Sequence, residues 1–179
     1  ISWDYIEATR ERRKAIDLAH RHHSAGYLFF LMTDPHVPRP IREEAARWGL
    51  AKDEFVDNGN WPWHVYVREG RRLVGDYVMT QRDLIEERFQ PDGIGLCSWY
   101  MDVHPVEVFR DGDVFHADGY LHQSVQPFEI PWRSLLPKHA EAENLLVPVA
   151  LSASHVAFSS IRVEPVWMIL GHACGVGAA

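Results

Sequence analysis

Four groups of residues in this chain carry side chains able to do chemistry. Tyr100, Asp102 and His104 alternate along residues 98–104. On an extended backbone they share one strand face, where a phenol, a carboxylate and an imidazole could line a substrate pocket or simply hydrogen-bond one another. Arg68, Arg71 and Arg72 form a second group. Planar guanidinium groups suit an anionic substrate or a structural pair, and alternation puts Arg68 and Arg72 on one side with Arg71 on the other. In the third group, Ser152, Ser154 and His155, an imidazole ordinarily titrates near neutrality, so His155 is a candidate acid or base, or a loop histidine bonded to backbone. The Ser-His adjacency does not make a hydrolase, because no G-x-S-x-G elbow is present and neighbours in sequence rarely point at each other. The fourth group, His20, His22 and His23, lacks the i, i+4 pair and third ligand of a helical zinc site, so no metal is expected.

The elements that must position these groups are marked by periodicity and punctuation. Residues 4–31 carry apolar positions near helical spacing and predict a long helix, ended by Pro35, Pro38 and Pro40. A second helix is expected over 41–48, stopped by Gly49. Residues 57–60 form a turn cluster and 61–68 suit an extended segment. A short capped helix is expected over 80–87. The Arg110-Asp111-Gly112-Asp113 run between residues 106–109 and 114–116 is a hairpin signal. A strand is expected over 125–130, a buried strand over 145–151, a polar loop over 152–164 and an apolar helix over 165–178.

Composition bounds the function. The 179 residues are 46% hydrophobic and 24% charged with a formal net charge of -7, so the chain can bury a core, and nucleic acid is not expected as the partner. No apolar run reaches the ~20 residues of a membrane span. Two cysteines, Cys97 and Cys174, have neither disulfide-framework nor zinc spacing. Of the seven tryptophans, Trp61, Trp63 and Trp99 could stack on sugar rings, although core packing accounts for most tryptophans.

Three stretches together carry a family resemblance: Tyr66 to Tyr77 with Arg68-Glu69-Gly70-Arg71-Arg72; Ile130-Pro131-Trp132-Arg133 through Lys138; and Asn144 to Ala179 with Ser154-His155-Val156-Ala157-Phe158-Ser159-Ser160-Ile161-Arg162-Val163-Glu164-Pro165. The combination resembles the C-terminal region of the bacterial FAD-dependent oxidoreductases, some of whose members are labelled dehydrogenases or xanthan lyases. The resemblance implies FAD as cofactor, with a glycine-rich turn holding its pyrophosphate at the start of the fold. A final strand and helix would lie beside the isoalloxazine ring. It implies Ser154, Ser159, Ser160, Arg162, Glu164 and Pro165 near the flavin, His155 as the catalytic residue, and Gly171 and Gly175 on the following helix. A helix N-terminus there would suit charge developing on the flavin's C2 carbonyl. Small residues Gly171, Ala173, Gly175 and Gly177 would let that helix approach a strand closely. Arg68, Arg72, Tyr100, Asp102 and His104 would face the substrate.

The chain departs from the family in having no G-x-G-x-x-G after a strand. The resulting expectation is an α+β fold, with helices and a small antiparallel sheet over residues 1–143 as a substrate-covering region. Residues 144–179 would form the terminal strand, loop and helix of an FAD-binding domain whose glycine-rich part lies elsewhere, the chain being a C-terminal fragment that opens on Ile1 and closes within a small-residue run. The expected partners are a small-molecule substrate, carbohydrate-related compounds among the options, with neither nucleic acid nor membrane. Exposed apolar surface along 166–169 is expected to favour self-association. A stand-alone carbohydrate-binding module without redox activity is the second reading, and a lyase or hydrolase a third.

Overall fold

The computed structural model describes residues 4–86 and 89–179, so the end expected for the third helix, at Glu87, lies outside the described residues. The chain divides into two compact units, Ile1–Glu69 and Gly70–Ala179.

The first unit is built on helix α1, Arg10–Thr33. Its start lies later than the sequence pattern suggests because Thr9 caps it, its hydroxyl accepting the Arg12 N–H at 3.3 Å. Residues 4–7 instead form a turn, which Arg13 clasps by donating to the carbonyls of Tyr5 at 3.0 Å and Ile6 at 2.7 Å. Helix α2, Arg39–Ala45, begins at the prolines expected to end α1, with Pro40 in its first turn where a missing N–H costs nothing. A 3-10 turn, Val56–Asn58, follows, and Gly59 and Asn60 take the left-handed conformation at φ 63° and 64°. Residues 61–68 continue without regular structure.

The second unit combines three short helices and three two-stranded antiparallel sheets, an α+β arrangement. Helix α3, Gln81–Ile85, has a reciprocal capping box between Thr80 and Asp83. Strand β1, Gly93–Cys97, pairs with β6, Phe128–Pro131; β2, Met101–Val103, pairs with β5, Leu121–Gln123; β3, Glu107–Asp111, pairs with β4, Val114–Asp118. The β3–β4 turn is the one expected, with Gly112 at φ 59°. Helix α4, His155–Ile161, packs on β2, and helix α5, Glu164–Ala178, on β1. Met79, Leu84, Met101, Ile130, Leu135, Leu151, Ile161 and Leu170 are fully buried and form one core. That core draws on residues from both sides of position 143.

Four local expectations are corrected. Residues 145–151 form no strand. Pro148 supplies no N–H, and the segment is tied instead by single bonds to separate neighbours: Val147 N donates to Leu135 O, and Leu73 N donates to Ala150 O. Residues 152–164 are not a loop, since α4 occupies most of them. Val166 is buried, and the exposed apolar positions of that stretch are Met168, at 74%, and Ile169. The small residues of α5 also act differently from expectation. A Cβ on Gly171 or Gly175 would meet nothing within 4 Å, whereas one on Gly177 would fall 2.4 Å from the Trp132 ring; mid-helix, the close approach rests on Gly95 of β1, where a Cβ would fall 2.7 Å from Ile169 Cγ2.

Candidate functional site

The alternation of β2 turns Met101 and Val103 into the core and Asp102 to the opposite face. The β2–β5 register sets Asp102 directly against His122. The Asp102 carboxylate then spans two imidazoles, with His104 Nε2 3.1 Å from Oδ2 and His122 Nε2 3.1 Å from Oδ1. Arg162, the C-cap of α4, donates from Nη2 to the Asp102 carbonyl at 2.6 Å and lies 3.9 Å from Oδ2. Its side chain is only 8% exposed, while those of Asp102 and His122 are 19% and 55% exposed. Ser159 completes the bracing: its hydroxyl accepts the Asp102 N–H at 3.1 Å and donates to Val156 O at 2.7 Å.

Aromatic rings border the same group. Tyr100 stacks on Trp99 with centroids 4.9 Å apart, and Tyr100 and Tyr120 both meet His122 edge-on, at 5.8 and 6.0 Å. A carboxylate that binds Nε2 fixes the orientation of an imidazole and leaves Nδ1 as the atom able to exchange a proton. His104 and His122 are both about half exposed, at 49% and 55%, and the Tyr100 and Tyr120 rings border His122.

The structure thus brings Tyr100, Asp102, His104, Ser159 and Arg162 into one cluster and adds His122 and Tyr120. Sequence reading missed those two because only the strand register reveals them. Ser160 lies beneath: its hydroxyl donates to Trp99 O, and its carbonyl accepts the Cys97 thiol at 3.3 Å. Ser154 caps α4, accepting the Ala157 N–H at 3.2 Å. His155 opens α4 and is exposed, as are Glu164 and Pro165 at the start of α5. Arg72 lies along α4, donating to Ala153 O at 3.1 Å with its guanidinium 5.3 Å from the Phe158 ring centroid. Arg68 belongs to the first unit, with its guanidinium 6.0 Å from the Tyr66 ring centroid.

A second polar network is structural in character. Tyr77 donates to Asp83 Oδ1 at 2.7 Å, and the Arg133 guanidinium lies 4.1 Å from the Tyr77 ring centroid while binding Asp92 and Gln90. Burial, reinforced by the Asp83 carboxylate and partly opposed by Arg133, pushes the Tyr77 phenol up to about 12. Burial likewise raises the thiols of Cys97 and Cys174.

Whether these residues fit FAD is decided by where their polar groups point. The hydroxyls of Ser154, Ser159 and Ser160 and the Arg162 head are engaged by this chain's own backbone. The described sheets are all two-stranded and antiparallel, and none feeds a phosphate-binding turn. By themselves, the described residues do not fit the dinucleotide. Among them no cluster of His, Cys, Asp and Glu could hold a metal ion, and no helix is long and apolar enough to cross a membrane.

Comparison with known proteins supplies what the geometry alone does not. The model of the family described as FAD dependent oxidoreductase matches residues 1–179. No curated protein and no solved structure matches the chain. The match supports a flavin-oxidoreductase type of function with a small-molecule substrate, in preference to a stand-alone binding module. With all 179 residues covered by that model, the chain belongs to the FAD dependent oxidoreductase family.

Proposed function

We propose that this chain is the substrate-side, C-terminal portion of an FAD-dependent dehydrogenase, and that its Asp102 cluster handles the proton a small-molecule substrate loses on oxidation. The observation carrying this reading is the Asp102 carboxylate held 3.1 Å from both His104 and His122. In this role His122 takes the proton from a substrate hydroxyl or amine, Asp102 orients the ring, and Arg162 balances the carboxylate's charge. Tyr100 and Tyr120 shape the substrate's approach. Ser159, Ser160 and Arg162 brace the proton site and Ser154 caps α4, while His155, Glu164 and Pro165, exposed at the starts of α4 and α5, would face the flavin of the longer enzyme. Arg72 holds α4 in place. The pyrophosphate would need a glycine-rich turn of a kind the described residues do not supply.

Flavin absorbance after gel filtration with excess FAD tests the division of labour. A version extended upstream through a glycine-rich turn is expected to retain flavin, and the 179-residue chain is not. In the extended protein, His122→Ala is expected to slow anaerobic flavin reduction by about 100-fold, the usual scale of a lost general base. Unchanged reduction would remove His122 from the mechanism, and the absence of flavin from both proteins would overturn the reading as a whole.

A further inference from the structure

The first unit contains a cavity of about 560 Å³ between α1 and residues 61–68, a volume in the range that accommodates drug-sized molecules. Three permanent cations line it, Lys14, Arg21 and Arg68, against the single carboxylate of Asp17. Trp61, Trp63 and Tyr66 supply ring surface, and Trp63 remains 58% exposed. The Arg21 guanidinium lies 5.4 Å from the Trp61 ring centroid, within the reach of a cation–π contact. A planar guanidinium can give a carboxylate paired hydrogen bonds.

We propose that this cavity is a second small-molecule site, specific for a planar aromatic anion. Arg21, beside the Trp61 ring, and Lys14 receive the acidic group, and Trp63 and Tyr66 pack against the ligand's ring. The site lies wholly within the Ile1–Glu69 unit and stands whether or not the Asp102 cluster performs proton transfer.

Isothermal calorimetry of the 179-residue chain with naphthoate and with its neutral counterpart naphthalenemethanol tests the proposal. Naphthoate is expected to bind saturably at one site, about tenfold or more tighter than the neutral ring, because a guanidinium rewards a carboxylate and not a hydroxymethyl group. Arg21→Gln is expected to weaken naphthoate by about fivefold or more while leaving the helical circular dichroism intact. Should Arg21→Gln disturb the fold, Lys14→Gln, exposed on α1, carries the same test with a smaller expected loss. Equal binding of acid and alcohol, no binding of naphthoate, or unchanged affinity in a folded Arg21→Gln chain would each overturn the site.

Discussion

His122 faces Asp102 across the β2–β5 pair, its Nε2 3.1 Å from Oδ1, although twenty positions separate the two in sequence. The other carboxylate oxygen holds His104, and the Arg162 head lies 3.9 Å from it with little access to water. Asp102→Asn keeps the size of the side chain but turns one oxygen into a donor facing an imidazole and leaves Arg162 without the nearby charge. The expected loss is about 1–3 kcal/mol of stability, read from the urea midpoint. A variant as stable as the parent would mean that the cluster is held by backbone alone.

How much of this cluster was legible depends on which physical signal fixes each member. The alternation of Tyr100, Asp102 and His104 is a local signal, and although β2 is only Met101–Val103, His104 does meet the Asp102 carboxylate. His122 enters only through the pairing of β2 with β5 around the β3–β4 hairpin, a long-range register that composition does not encode. α4 was hidden for a different reason. Ser154, Ser159 and Ser160 disfavour helix interiors because their hydroxyls compete for backbone, yet here Ser154 serves as the cap and the other two spend their hydroxyls on Val156 and Trp99. The opposite error occurred at residues 145–151, where an apolar run looked like a strand but Pro148 and scattered single bonds keep it irregular. α1, α5 and the hairpin at Gly112 were readable because caps, prolines and the Asp-Gly turn act within a few residues.

The Tyr77 phenol offers a pH test. Its pKa is raised to about 12, chiefly by burial and then by the Asp83 carboxylate. The folded state therefore keeps a proton that the unfolded chain releases near pH 10, so this contribution to stability is complete below pH ~10 and is lost as pH rises toward ~12. Phenolate absorbance on alkaline titration is expected to show, beside the raised Tyr5 phenol, a late phase near pH 12 that is absent in Tyr77→Phe. If Tyr77→Phe leaves the late phase in place, the assignment to this residue fails.

Glycine substitutions separate close packing from open helix surface. A Cβ on Gly75 would lie 2.4 Å from the backbone oxygen of Leu136, at a residue whose N–H already donates to Ser152 Oγ. Gly75→Ala is expected to cost about 1–3 kcal/mol or more, because a backbone atom must move. Gly171 sits inside α5 with nothing near its would-be Cβ, so Gly171→Ala is expected to stabilise by about 0.5–1 kcal/mol. Thermal midpoints shifting in opposite directions would support both statements, and a destabilised Gly171→Ala would show that α5 meets another surface there.

The two thiols should report on the integrity of the second unit. Cys97 donates its S–H to Ser160 O beneath the Asp102 cluster, and Cys174 lies on the buried face of α5. Burial raises both thiols, so at pH 8 the thiolate fraction is low and reagent access is poor. A chromogenic disulfide reagent is expected to label neither cysteine promptly in native protein and both promptly in urea. Cys97 is also held by its own hydrogen bond, so it should be the slower of the two when Cys174→Ser and Cys97→Ser chains are compared. A rapid one-equivalent burst from the native chain that persists in Cys174→Ser would mean that β1 opens away from α4. The support under Asp102 would then be looser than the hydrogen bonds at Ser159 and Ser160 require.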